Sequence, residues 1–125
     1  MEQRKPKTNK ELANDILCAL NTNKYVFSLM DTPQTHMFKF LKYMDIAKDF
    51  NTICTRKAKT MFKQAKTEQE RITILKAKCL LDENIRLFVL MDEPYTNVFA
   101  FLKYVQKAST NTAKAWDYIN QLQTD

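Results

Sequence analysis

Apolar residues recur at intervals of three and four along most of the chain, the spacing of helices that bury one face. In the first half Leu12, Ile16, Leu17 and Leu20 share a face, and Phe27 and Met30 continue it past a polar stretch at Asn21-Thr22-Asn23. In the second half Ile72, Leu75, Cys79, Ile85, Phe88 and Val89 are expected to form the equivalent core stripe. Met37, Phe40, Leu41 and Met44 make a further stripe, with Val98, Phe101, Leu102 and Val105 as its counterpart. A basic helix is expected over Asp49 to Lys66, and a terminal helix from about Thr112 places Trp116, Ile119 and Leu122 on one side. The chain has no Gly, so hairpin turns and bulges lack their usual residue. The expected fold is all-α, a bundle of about four to six helices, with Asn21, Asn23, Asn84 and Asn111 at helix breaks.

The chain also resembles itself at an offset of 61 residues. Residues 27–43 and 88–104 share the pattern F-x-L-M-D-x-P-x-T-x-x-F-x-F-L-K-Y, and the same offset pairs Cys18 with Cys79, Leu20 with Leu81, and Ala47 with Ala108. Two tandem copies are implied, related by a pseudo-twofold axis, because a unit of about sixty residues is too small to bury its own apolar faces well. Thr8-x-x-Glu11 and Thr67-x-x-Glu70 are capping boxes that open the first helix of each copy. Asp31 and Asp92 read as caps of the helix that follows each, with Pro33 and Pro94 in its first turn. The expected organisation is one domain over 1–125: a flexible basic arm at 1–9, one repeat at 10–66 and the other at 67–125.

Charge separates the copies. Residues 1–66 carry thirteen Lys and Arg against six Asp and Glu, whereas residues 67–125 carry seven against eight. Between Thr55 and Lys66 there are five basic residues and no acidic one. Of these, Arg56, Lys59, Lys63 and Lys66 are spaced by three, four and three and share a helix face, with Lys57 beside them. Cys54, Ala58, Met61 and Ala65 would face the core, with Phe62 at the border. Such a stripe suits a nucleic-acid backbone, and Arg4, Lys5 and Lys7 of the arm would add to it. It also suits an acidic protein partner, or a solvated face with no ligand. The alternative function is a protein-interaction module, an adaptor, inhibitor or assembly factor, that presents a helical groove to an acidic or apolar partner. Self-association stays open. Tyr25, Tyr43, Tyr95, Tyr104 and Tyr118 could stack on bases, although tyrosine at helical spacing more often lies at a core margin.

The pattern points away from an enzyme. Without Gly the phosphate-cradling loops and the nucleophile elbow have no route to their backbone geometry. The single histidine, His36, follows Pro33 by three residues and reads as a surface residue near a cap. No H-x-x-x-H, C-x-x-C or E-x-x-H spacing offers a metal site, and no cofactor is expected. Three scattered cysteines, Cys18, Cys54 and Cys79, suit reduced and buried thiols. With a charged N-terminus and no long apolar run, they suggest an unsecreted protein of the cytoplasm or nucleus that does not enter a membrane.

Pro33-Gln-Thr-His-Met-Phe38, a long helix ending near Ala65, then Glu70-Arg71, Leu75, Arg86-Leu87 and a late Trp116 follow a familiar order. In it the chain resembles the four-helix-bundle family of retroelement accessory variability determinants and 23S rRNA intervening-sequence proteins. The resemblance implies a basic, ring-forming bundle that binds nucleic acid and a reverse transcriptase. The chain departs from that family in having no glycine before the tryptophan and in carrying a second Asp-x-Pro, at Asp92 and Pro94.

Overall fold

A computed structural model of the chain describes residues 7–30, 37–92 and 98–122, with backbone only at 37, 38 and 98. The described residues are all-α and form four helices: α1 (Asn9–Met30), α2 (Met37–Gln64), α3 (Glu68–Met91) and α4 (Val98–Gln121). Each helix packs on two neighbours, α1 and α3 each against both α2 and α4. The short connections make sequence neighbours antiparallel, which gives an up-down-up-down bundle. No described helix is long and apolar enough to cross a membrane.

The helices start where the capping boxes place them. Thr67 is extended (φ −123°, ψ 157°), and its hydroxyl accepts from the Glu70 N–H at 3.1 Å. Thr8 accepts in the same way from the Glu11 N–H at 3.2 Å, and the Glu11 carboxylate accepts from the Thr8 N–H at 3.3 Å. Glu70 reaches one residue further back and accepts from the Lys66 N–H at 2.8 Å. Arg71 then ties the turn by donating from Nη1 to the Ala65 carbonyl at 3.1 Å. Asp92 differs from expectation. Its backbone is right-handed (φ −88°, ψ 0°) and its N–H donates to Phe88 and Val89, so it closes α3 and lacks the extended backbone of a cap for the next helix. Asp31, Pro33, His36, Pro94 and Tyr95 lie outside the described residues.

The expected breaks inside the helices are absent. Asn21 and Asn23 lie within an unbroken α1, Asn84 within α3 and Asn111 within α4. The basic helix and the terminal helix are the second halves of α2 and α4. Asn23 and Asn84 are fully buried, and their amides explain how they stay in a helix without breaking it. Asn23 donates across to the Ala47 carbonyl of α2 at 2.9 Å. The Asn84 amide reaches the Ala108 carbonyl at 3.4 Å, the Thr112 hydroxyl at 3.2 Å and Asn51 Oδ1 at 3.2 Å. Asn51 donates to the Leu81 carbonyl at 3.0 Å, and Asn111 donates to Asn84 Oδ1 at 3.1 Å. A buried polar group costs free energy unless it is paired. The amide nitrogens here all pair with one another's oxygens or with carbonyls and a hydroxyl of neighbouring helices, whereas Asn23 Oδ1 has no partner among the described residues.

This polar layer separates two apolar cores. One holds Leu12, Ile16, Leu20, Cys54, Ala58, Met61, Ile74, Leu81, Ala115 and Ile119; the other holds Phe27, Met30, Met44, Ala47, Phe88, Met91, Val105 and Ala108. In the second, aromatic rings meet across both diagonals. Phe27 stacks on Phe88 with centroids 6.1 Å apart, and Phe40 meets Phe101 edge-on at 5.2 Å. Fully buried alanines at 47, 58, 77, 108 and 115 let the helices approach closely.

The first-half stripe is buried as expected, from Leu12 to Met30. The stripe expected for the second half is rotated. Only Phe88 of that set is buried; Ile72, Leu75, Ile85 and Val89 are exposed, and α3 buries Thr73, Ile74, Ala77, Leu81, Asn84, Leu87 and Met91 instead. Cys18 and Cys79 are likewise exposed, and only Cys54 is buried. Leu41, placed on the core stripe of α2, is also exposed.

Replacing Asn84 with Ala leaves Asn51 Oδ1 without its donor inside the bundle and leaves Asn111 Nδ2 with Glu83 alone, so it is expected to cost about 1–3 kcal/mol. The exposed Val89→Ser should stay within about 0.5 kcal/mol of the parent. Urea unfolding followed by circular dichroism measures both.

Candidate functional site

The basic row lies on the outer face of the second half of α2. Cys54, Ala58, Met61 and Ala65 point into the core, with Phe62 half-buried at the edge, and this fixes the opposite face as solvent-facing. Arg56, Lys59, Lys63 and Lys66 are all exposed. At a rise of about 1.5 Å per residue they stand roughly 5 Å apart along some 15 Å of helix. Among the described residues, no carboxylate forms an ion pair with any of the four.

Lys57 and Lys7 behave differently. Lys57 lies on the flank of α2 that faces α1, half-buried, with its Nζ 3.1 Å from Asp15 Oδ2. Lys7 reaches the same oxygen at 2.6 Å. These two donated hydrogen bonds, the Lys7 one first, hold the Asp15 carboxyl below its ordinary range. Lys7 and Asn9 are further tied to α2, where Gln64 donates to the Lys7 carbonyl at 3.0 Å and Asn9 donates to the Met61 carbonyl at 3.0 Å. Of the eight basic residues expected to act together, then, four form an unpaired row and two are engaged by Asp15. Arg4 and Lys5 lie outside the described residues.

Helix-end electrostatics account for only part of the row. Cations favour the C-terminus of a helix, but the effect fades beyond the last turn. Lys63 lies in the last turn of α2 and Lys66 just past it, whereas Arg56 and Lys59 are further in. Nothing within the bundle requires a positive charge at those two positions.

A second surface feature escaped the sequence reading. Ile72, Leu75, Cys79 and Leu80 of α3, with Tyr118 of α4, line an open groove of about 490 Å³ bordered by Lys76, Lys114 and Glu83. Lys76 Nζ sits 5.8 Å from the centre of the Tyr118 ring. Glu83 accepts from Asn111 at 3.1 Å and pairs with Lys107 at 3.6 Å, and these partners, Asn111 first, lower its pKa. The signal for this face was present in α1: its buried Ala13, Ile16, Leu20, Asn23, Phe27 and Met30, advanced by 61, land on the residues that α3 buries. A smaller groove of about 320 Å³ between α1 and α4 is lined mainly by Ser28, Gln106, Ser109 and Thr110.

Among the described residues, no three His, Cys, Asp or Glu side chains gather as a metal site. The one buried thiol, Cys54, is pushed up to about 12 by burial and stays protonated at neutral pH. The acidic pair Asp82 and Glu83 is split between Lys78, 2.9 Å from Asp82, and the α4 partners of Glu83. No protein-family model matches the chain, and searches of curated proteins and of solved structures gave no match.

Because Asp15 has a folded pKa below its unfolded value, its pairing stabilises the fold at neutral pH and is lost as pH falls through the folded value. Asp15→Asn should therefore be less stable than the parent at pH 7, by at most about 1 kcal/mol for so exposed a triad. The gap should close in acid, read from unfolding midpoints across pH. Thiol labelling of the native protein should modify Cys18 and Cys79 and spare Cys54 until the protein unfolds.

Proposed function

We propose that this protein is a non-enzymatic helical accessory factor that binds a nucleic-acid backbone, without strong sequence choice, through the outer face of α2. One observation carries the reading: Arg56, Lys59, Lys63 and Lys66 form an exposed row with no ion-pair partner among the described residues. Four cations in a row with no acidic residue among them match a repeating anionic polymer better than a single small anion. The positions 61 residues after Arg56 and Lys59 are Asp117 and Asn120, so the bundle architecture by itself does not call for a cationic face.

The same proposal takes the two hairpins as tandem copies related by a pseudo-twofold axis. It is supported by an amide contact that recurs at the offset of 61, Asn23 on Ala47 and Asn84 on Ala108, and by the rings of Phe27 on Phe88 and Phe40 on Phe101, which join residues 61 apart as a twofold axis would. On this view duplication supplied the scaffold, and divergence charged one copy. Kinship with the retroelement accessory and intervening-sequence bundles belongs to the same reading, since a basic four-helix protein is what it calls for. A protein-interaction role draws on a different observation, the apolar outer face of α3.

Electrophoretic mobility of single- and double-stranded probes at two salt concentrations tests the reading. Binding should appear at low salt and weaken steeply as salt rises. The triple variant Arg56→Glu, Lys59→Glu, Lys63→Glu should lose most of it, and its log–log salt slope on duplex should flatten by roughly two to three units. Absence of binding at low salt would sink the proposal.

A further inference from the structure

Asp15 holds two cations that the basic row leaves out. Lys7 and Lys57 donate to the same carboxylate oxygen, at 2.6 and 3.1 Å, and among the described residues every ion pair of the first hairpin is on this one side chain. Lys57 follows Arg56 in sequence and stands about 100° round the helix from it, on the flank of α2 beside the row. One oxygen held between two ammonium groups is also how a pair of lysines takes an oxygen of a phosphate. Asp15 therefore fills a place that a backbone phosphate could occupy.

The fold does not call for a carboxylate there. At the offset of 61 from Asp15 and Lys57 stand Lys76 and Tyr118, and these two also meet across a hairpin, with Lys76 Nζ 5.8 Å from the centre of the Tyr118 ring. The second hairpin thus joins the same two positions with no acid. Lys7 does not need the carboxylate to stay in place either. Its carbonyl accepts from Gln64 at 3.0 Å, Gln64 also donates to Asn9 Oδ1 at 2.9 Å, and Asn9 donates to the Met61 carbonyl at 3.0 Å. Lys57 is fixed by its position within α2. With Asp15 uncharged both lysines keep their places, and only their charges are released.

We propose that Asp15 is an internal competitor for nucleic acid: it occupies Lys7 and Lys57 as a phosphate would, and so restrains a surface of six cations to the four of the row. This rests on the reading of α2 as a nucleic-acid surface and adds what regulates it. The consequence is a contact that lets go at lower salt than the full set of cations would allow.

Titration of a duplex probe across a range of salt concentrations tests it on the full chain. Asp15→Asn should bind roughly threefold or more tightly than the parent at low salt, and its log–log salt slope should steepen by roughly one to two units. Adding Lys57→Gln to that variant should flatten the slope again by about one unit. Glu83→Gln makes the same change of net charge where α3 faces α4, and it should leave the affinity within about twofold of the parent and the slope unchanged. That comparison separates release of the two lysines from a general gain of charge. Circular dichroism checks that each variant keeps its helices, and Asp15→Ala, with the better helix former, takes the place of Asp15→Asn if that variant does not fold. A parent that binds while Asp15→Asn binds no tighter, or a Glu83→Gln that gains as much, overturns the competitor and leaves the reading of the row standing. If neither the parent nor Asp15→Asn binds at low salt, that reading falls and the competitor falls with it.

Discussion

Four buried side-chain amides set the geometry on which the rest of this bundle depends. Helices of similar length, each with an apolar face, can slide past one another by a turn at little cost if the contact is purely apolar. Asn23, Asn51, Asn84 and Asn111 remove that freedom. Each donates to a partner on a neighbouring helix, and a slip would leave several polar atoms in the core without partners. Asn84 is the junction, since it meets α2 through Asn51 and α4 through Ala108, Thr112 and Asn111. Once the register is set, the orientation of α2 is set with it, and so is the direction in which Arg56, Lys59 and Lys63 point.

Much of this was legible in the sequence, and the failures share a cause. The all-α class followed from periodicity and the absence of glycine, and both capping boxes form. The inner face of α2 was readable because Cys54, Ala58, Met61 and Ala65 are apolar while the residues opposite them are charged. α3 offered no such contrast. It has large apolar side chains on both sides, and its true core face mixes Ile74 and Leu81 with Thr73, Ala77 and Asn84. A reading weighted by hydrophobicity picks the richer stripe, whereas burial is decided by which face the neighbouring helices can close on. The asparagines were misread for a related reason. Asn at a helix break and Asn donating from inside a helix look alike in one sequence, and only the carbonyl supplied by another helix tells them apart.

The charge reading was refined by geometry in the same way. Sequence spacing put Lys57 beside the basic row, and the helix turned it towards α1 and Asp15. Lys7, expected in a mobile arm, is held against the bundle by the same carboxylate. What distinguishes Arg56, Lys59, Lys63 and Lys66 is that none of them pairs with a carboxylate among the described residues, which depends on three-dimensional neighbours that spacing cannot supply.

The division of the interior into two cores also bears on how the molecule opens. Each core takes side chains from all four helices, so neither hairpin owns one, and the natural unit of partial unfolding is an end of the bundle. The basic row and the α3 groove both overlie the core that contains Cys54, Met61 and Ile119, on one side of the amide layer. Fraying at the far end, where Phe27 stacks on Phe88, would have to pass that layer before it reached either surface. The amides therefore act as a firebreak as well as a register mark, keeping the two outward faces on the half of the molecule insulated from motion at the other.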